Sequence, residues 1–305
     1  MSSQKEITLS HGVLRFSAIE AGEGPIVLML HGFPDTLRTW DAQLDFLANN
    51  GYRAIAVSTR GYETQSQPKD GDYSSPSLAG DVIAWIDQLG GGPVHLIGHD
   101  WGASIAYGVA MAIPDQIKSL TALAVPHAGR FMSEIHHYPK QLRLSWYMLF
   151  FQLPGIADYV VRRNNFAFLR RLWKDWSPGW EFTQEQFSEV SQAFAQPRVV
   201  ESTLAYYRAA IGLRSLPLGR SSQEQTSWPI DVPTLGITGA QEGCIAADVF
   251  ESMMREDDFP AGLKVVTVDD AGHFPHREQP AFVNELLLDW LAAQDSADKE
   301  KTSSH

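Results

Sequence analysis

The run Gly98-His99-Asp100-Trp101-Gly102 is the part of the chain best suited to do chemistry. It follows the apolar stretch Val94–Ile97 directly and precedes Ala103–Met111, whose small residues suit a helix packed closely on a sheet. A strand, a sharp turn and a helix in that order put Asp100 at an apex with strained backbone, where close neighbouring chains require small residues on both sides. Gly98 and Gly102 meet that need. A carboxylate at the apex also selects its reaction: attack on an acyl carbon would give an anhydride, whereas attack on an sp³ carbon gives an ordinary ester. Asp100 is therefore read as the nucleophile of an alkyl transfer. The plainer alternative is a turn aspartate that caps the next helix.

An alkyl ester of Asp100 has to be hydrolysed, and the water that does so needs a base, for which histidine is the natural choice at neutral pH. Of the ten histidines, His273 is the candidate because Gly272-His273-Phe274 follows the last strand at the catalytic end of the sheet. His11, His95, His136, His137 and His305 read as satisfied surface or core residues, His31 and His99 as structural members of their motifs, and His276 as a supporting group. A neutral imidazole needs a carboxylate on its other nitrogen. Glu242, in the loop Gly239–Gly243, is the choice, with Asp269 and Asp270 as alternatives closer in sequence. The oxyanion formed when water attacks the ester is best met by backbone amides aimed in advance. Those of Phe33 and Trp101 are assigned, since His31-Gly32-Phe33-Pro34 follows the strand Ile26–Leu30 and so reaches the same sheet edge as the elbow.

These groups need a scaffold, and the chain reads as α/β. Short β-rich runs alternate with helical patterns: Pro25–Leu30, Trp40–Ala48, Tyr52–Val57, Leu78–Leu89 and Val94–Ile97. That alternation implies βαβ units and a mostly parallel central sheet flanked by helices, with ligands at the carboxyl ends of the strands. From about Gly129 to Trp228 the strand signal stops and aromatic, arginine-rich helices take over, one of them starting at a capping box of Thr183 and Gln186. The strand rhythm returns at Val232–Thr238 and Leu263–Val268 and ends with a helix near Phe282–Leu291. The expected organisation is a core over residues 1–128 and 229–293, an inserted helical cap over 129–228, and a polar, frayed tail over 294–305.

With 305 residues, 44% of them apolar, the chain can bury a full core. Its net charge of −12 disfavours nucleic acid and anionic membrane surfaces, and no segment has the apolar length of a membrane span. The expected partners are a small hydrophobic substrate and water, for a cytoplasmic monomer or homodimer. A single cysteine, Cys244, excludes an internal disulfide and a thiolate metal cluster and is read as a small core residue. No cofactor or metal is implied, because nucleophile, base and oxyanion donors are all protein groups.

In five motifs the chain resembles the epoxide hydrolase and haloalkane dehalogenase branch of the α/β-hydrolase family. They are His31-Gly32-Phe33-Pro34-Asp35, Arg60-Gly61-Tyr62, the Asp100 elbow, Pro126-His127 and Gly272-His273-Phe274, in that order. The resemblance implies an α/β-hydrolase fold, an Asp-His-acid triad with aspartate more usual than Glu242, and a cis Phe33-Pro34 bond. It also implies two cap tyrosines that protonate the opening ring, at Tyr147 within Ser145–Gly155 and at Tyr207 within Ala205-Tyr206-Tyr207-Arg208. Several aromatics, including Trp146, Phe150, Phe151, Trp173, Trp176 and Trp180, suggest an apolar pocket, with core packing the plainer reading for any one of them; Trp146, Phe150 and Phe151 are assigned to the substrate pocket. The expected activity is hydrolysis of a hydrophobic epoxide to a vicinal diol. A haloalkane dehalogenase is the first alternative, though that branch typically has asparagine where Phe33 stands, and a non-catalytic binding homologue is a more distant one. The sequence departs from the family after Tyr62, where Glu63-Thr64-Gln65 replaces the usual glycine and serine, and at Ser58-Thr59, which replaces a common Asp-x pair.

Overall fold

The computed structural model describes residues 4–211 and 229–303. Its strands are β1 (Lys5–His11), β2 (Leu14–Ala21), β3 (Ile26–Leu30), β4 (Arg53–Val57), β5 (Val94–His99), β6 (Ile117–Leu123), β7 (Thr234–Gly239) and β8 (Leu263–Val268). They form one sheet in the order β1-β2-β4-β3-β5-β6-β7-β8, in which β2 runs antiparallel to both its neighbours and the other pairings are parallel. The α/β expectation holds. The first hairpin and β6 had not been foreseen, although Leu14, Phe16 and Ala18 alternate with outward residues as a half-buried strand should.

The central strands are continuous in apolar residues because helices cover both faces. Successive residues of β3 and β5 feed opposite cores: Leu28, Leu30 and Leu96 join one cluster, Val27, Met29 and Ile97 the other. On the first face lie α2 (Ser75–Gln88) and α3 (Trp101–Ala112), contributing Leu78, Val82, Trp85 and Ala106. The second face is closed by α1 (Asp41–Asn49), through Leu44 and Leu47, and by the last helix, through Val283, Leu287 and Leu291.

Between β6 and β7, in the stretch expected as a cap, come the helices α4 (Ala128–Glu134), α5 (Pro139–Leu144), α6 (Trp146–Phe150), α7 (Ile156–Trp176), α8 (Gln184–Ala195) and α9 (Val199–Ile211). Thr183 and Gln186 make both bonds of the capping box at α8: Gln186 N donates to Thr183 Oγ1 (3.1 Å) and Thr183 N to Gln186 Oε1 (2.8 Å). Residues 212–228 of the expected cap lie outside the described residues, as does His305. After the cap come α10 (Ala247–Met253), α11 (Pro275–Glu278) and α12 (Pro280–Ser303).

The tail departs from expectation. Instead of fraying at Gln294 the helix continues to Ser303, and Asp295 accepts bonds from Lys118 Nζ (2.8 Å) and the Tyr52 hydroxyl (3.0 Å), with His95 Nε2 at 3.3 Å. An acidic side chain at that point has partners on the sheet, which polarity alone did not reveal. No helix among the described residues is long and apolar enough to cross a membrane.

Candidate active site

The carboxyl ends of β3, β5, β7 and β8 bring Phe33, Asp100, Glu242 and His273 together. Asp100 has φ 52° and ψ −119° between β5 and α3, a backbone that side chains rarely adopt and that only dense surroundings sustain. A Cβ on Gly98 would lie 2.3 Å from the Gly102 carbonyl oxygen, and one on Gly32 would lie 2.5 Å from Asp100 Oδ1. Gly98 lets the turn close, and Gly32 lets the Phe33 loop reach the carboxylate. The Phe33-Pro34 bond is cis.

The two oxygens of Asp100 differ. Oδ1 accepts from Phe33 N at 2.7 Å, while Oδ2 faces His273 Nε2 at 3.6 Å, too far for a hydrogen bond. Of the two assigned amides only that of Phe33 meets the carboxylate at hydrogen-bond geometry. The first turn of α3 still directs its dipole at Asp100.

His273 Nδ1 lies 2.9 and 3.0 Å from the two oxygens of Glu242, so Nδ1–H donates to the carboxylate. Asp269 and Asp270 are exposed, and neither is brought to His273. Glu242 Oε1 also accepts from Cys244 N at 2.8 Å, and burial pushes its carboxyl above the ordinary range against the pull of His273. For His273, burial alone would favour the neutral ring, but the Glu242 and Asp100 carboxylates outweigh it and its pKa is pushed up to about 10. The free site therefore holds a protonated imidazole beside two carboxylates. Its Nε2 is buried, faces Asp100 Oδ2 and meets no atom at hydrogen-bond geometry among the described residues.

Two supporting side chains, Ser177 and Glu278, come from places that carried no signal in the sequence. Ser177 Oγ and Trp176 O both accept from His273 N, and Glu278 accepts from Ser177 Oγ, Gly272 N and Phe274 N, so one acid from α11 steadies the whole histidine loop. His99 Nε2 donates to the His273 carbonyl oxygen, and His31 Nε2 accepts from Thr59 N. Burial lowers His31 to about 4 and His99 well below its ordinary value, which suits neutral structural rings. His276 stacks on Trp40 and bonds Thr39 Oγ1. The departing Arg60 loop is nonetheless built: Ser66 Oγ accepts from Gly61 N and Glu63 N, and Arg60 grips the buried Asp81 at 2.6 Å.

Asp100 opens into a cavity of about 220 Å³ whose wall includes Trp101, Tyr147, Met148, Tyr207, Cys244 and Ile245. Both tyrosines come from the helices between β6 and β7 and are buried, with ring centroids 5.9 Å apart. Burial first, and then the charge of Asp100 among their neighbours, hold both phenols well above their ordinary pKa, so they keep their protons. Their helices are tied together. Arg208 Nε donates to Phe151 O (2.9 Å), Arg208 Nη2 to Asp158 Oδ1 (3.0 Å) and Gln152 Nε2 to Tyr207 O (3.0 Å).

The three aromatic residues expected in the pocket do not line it. Trp146 is 46% exposed and Phe150 packs with it and Phe168 on the outer side of α6, while Phe151 is buried behind Tyr147, Tyr207 and Phe33. One short helix has a single face for the cavity, and Tyr147 and Met148 occupy it. Cys244 is buried in the core, as expected, and also forms part of the cavity wall, with Sγ 3.2 Å from the Tyr147 hydroxyl. Its place two residues past Glu242 was the available signal. A larger, more polar cleft of about 780 Å³ between β2 and α8 does not include Asp100.

Residues 25–280 match the family described as alpha/beta hydrolase fold. The chain belongs to that family. Among curated proteins, this α/β-hydrolase is 32% identical to the AB hydrolase superfamily protein YfhM of Bacillus subtilis, over 92% of this chain and 95% of the relative. It is 30% identical to Epoxide hydrolase 3 of Siraitia grosvenorii, over 95% and 99%. Its fold matches the crystal structure of an epoxide hydrolase from Bacillus megaterium in complex with an inhibitor, with a TM-score of 0.80, 28% identity and coverage of 94% and 100%. These likenesses place the α/β-hydrolase on the epoxide hydrolase branch.

Proposed function

We propose that this protein hydrolyses a small hydrophobic epoxide to a vicinal diol through a covalent ester on Asp100. One observation carries the reading: a carboxylate at a nucleophile elbow and two protonated phenols share one small, largely apolar cavity. An epoxide carbon reacts readily only if its oxygen gains a proton or strong hydrogen bond as the ring opens, and buried phenols supply both.

In the first step Oδ2 of Asp100 attacks the ring carbon, the C–O bond breaks, and the ring oxygen takes a phenolic proton. Alkylation removes the Asp100 charge, one of the two that hold His273 protonated. The ring then gives up its proton, which restores the phenol, and becomes a base only once there is an ester to hydrolyse. Water activated at His273 Nε2 attacks the Asp100 Cγ. Negative charge builds on Oδ1, where Phe33 N already donates. Collapse expels the diol, and Glu242 fixes the tautomer of His273 throughout.

Phe33 disfavours a dehalogenase, because its buried ring packs edge-on against Phe151, Phe194 and Tyr207 and offers no donor to a halide. The reading is tested with styrene oxide, a terminal alkyl epoxide and a bromoalkane side by side. Diol from the epoxides without halide release is expected, and His273→Gln should accumulate an enzyme heavier by one substrate, seen by intact mass. Halide release without diol would instead mark a dehalogenase.

A further inference from the structure

The two cap tyrosines have different partners. The Tyr207 hydroxyl is buried beside the Trp101 indole, which can only donate, so its own hydrogen has no acceptor among the described residues, whereas the Tyr147 hydroxyl lies 3.2 Å from Cys244 Sγ. Cys244 also donates its backbone N–H to Glu242, so it joins the carboxylate behind His273 to the phenol across the cavity. Burial, followed by the charges of Glu242 and Asp100, holds its thiol well above the ordinary range, so the sulfur keeps a proton to give. A thiol is a weak donor and a weak acceptor, while a phenol oxygen accepts and donates at once, and an epoxide oxygen is the better acceptor for the phenol. With an epoxide bound, the favourable arrangement has S–H directed to Tyr147 Oη and the phenolic O–H directed to the ring oxygen.

We propose, resting on the epoxide reading above, that Cys244 is a positioning residue for ring opening and that the two tyrosines act unequally. Cys244 donates to Tyr147 and aims that phenol's hydrogen at the ring oxygen, which Tyr147 holds by a hydrogen bond. Tyr207, whose proton is committed to no acceptor, transfers it. The balance closes: Asp100 Oδ2 forms the new C–O bond, the ring C–O electron pair stays on the ring oxygen, and that oxygen takes the Tyr207 proton. His273 returns a proton to the Tyr207 phenolate and later takes one from the attacking water. The thiol neither gains nor loses a proton in the cycle.

The test is rapid-quench mass spectrometry with styrene oxide, which times ester formation and ester hydrolysis separately. Cys244→Ala should slow ester formation about tenfold while leaving ester hydrolysis within about twofold. Cys244→Ser should restore most of the rate, because a hydroxyl can donate in the same place. Made in Tyr147→Phe, Cys244→Ala should have no further effect, whereas in Tyr207→Phe it should still slow ester formation. Equal slowing of both steps, or a full effect of Cys244→Ala in the Tyr147→Phe background, would assign the loss to packing or to Glu242 and overturn the proposal. So would an unchanged ester-formation rate in Cys244→Ala. Failure of the parent protein to form any ester with an epoxide that it turns over would sink the epoxide mechanism itself, a result distinct from the others.

Discussion

The two walls of the cavity are held by different means. On the core side Asp100, Phe33 and His273 are placed by backbone: strand ends in register, a strained apex at φ 52°, and glycines where a Cβ would collide with neighbouring atoms. On the cap side Tyr147 and Tyr207 are placed by side chains, through Arg208, Gln152 and Asp158 between α6, α7 and α9 and through Cys244 from the core. A wall built from backbone fails all at once, because a collision there has nowhere to relax. One built from side-chain ties loses rate by degrees, so the two walls should respond differently to substitution.

The largest effect is expected on the core wall. Gly98→Ala puts a methyl group 2.3 Å from the Gly102 carbonyl oxygen. Such overpacking costs about 3 kcal/mol or more, which lowers Tm by at least roughly 5 °C in a chain of this length, or it leaves no soluble protein; calorimetry distinguishes these. Next, converting Tyr147 and Tyr207 together to Phe should leave Tm within a few degrees while epoxide turnover falls at least roughly 100-fold, measured as diol formation. A comparable fall in Tm for the double variant would erase the contrast between the walls. The smallest effect is expected from Arg208→Ala, which cuts the tie between the tyrosine helices. Its side chain is partly exposed, so we expect about 1 kcal/mol of stability and a severalfold loss of kcat, the two measured by thermal melts and steady-state kinetics.

The same contrast explains what could be read in the sequence. The core wall was legible because backbone constraints restrict residue type: Gly98 and Gly102 on either side of a lone carboxylate leave few other interpretations. The parallel strands other than β6 were legible as short β-rich runs, and Thr183 with Gln186 marked the start of α8. The cap wall was legible only in Tyr147 and Tyr207, through a resemblance. Which face of α6 meets the cavity depends on how α9 and the Cys244 loop pack against it, so Trp146, Phe150 and Phe151 were expected inside while Met148 and Cys244 were not. Glu278 and Ser177 steady His273 through contacts between distant segments, and Asp295 ties the end of the chain to the sheet in the same way. No local pattern announces such pairings.

The most direct test of the central claim, that water attacks an Asp100 ester and never the substrate carbon, is a single turnover in heavy-oxygen water with enzyme in excess. The account predicts unlabelled diol, with the heavy oxygen found in the Asp100 carboxylate by peptide mass spectrometry. Heavy oxygen in the diol after that first turnover, with Asp100 unlabelled, would contradict it.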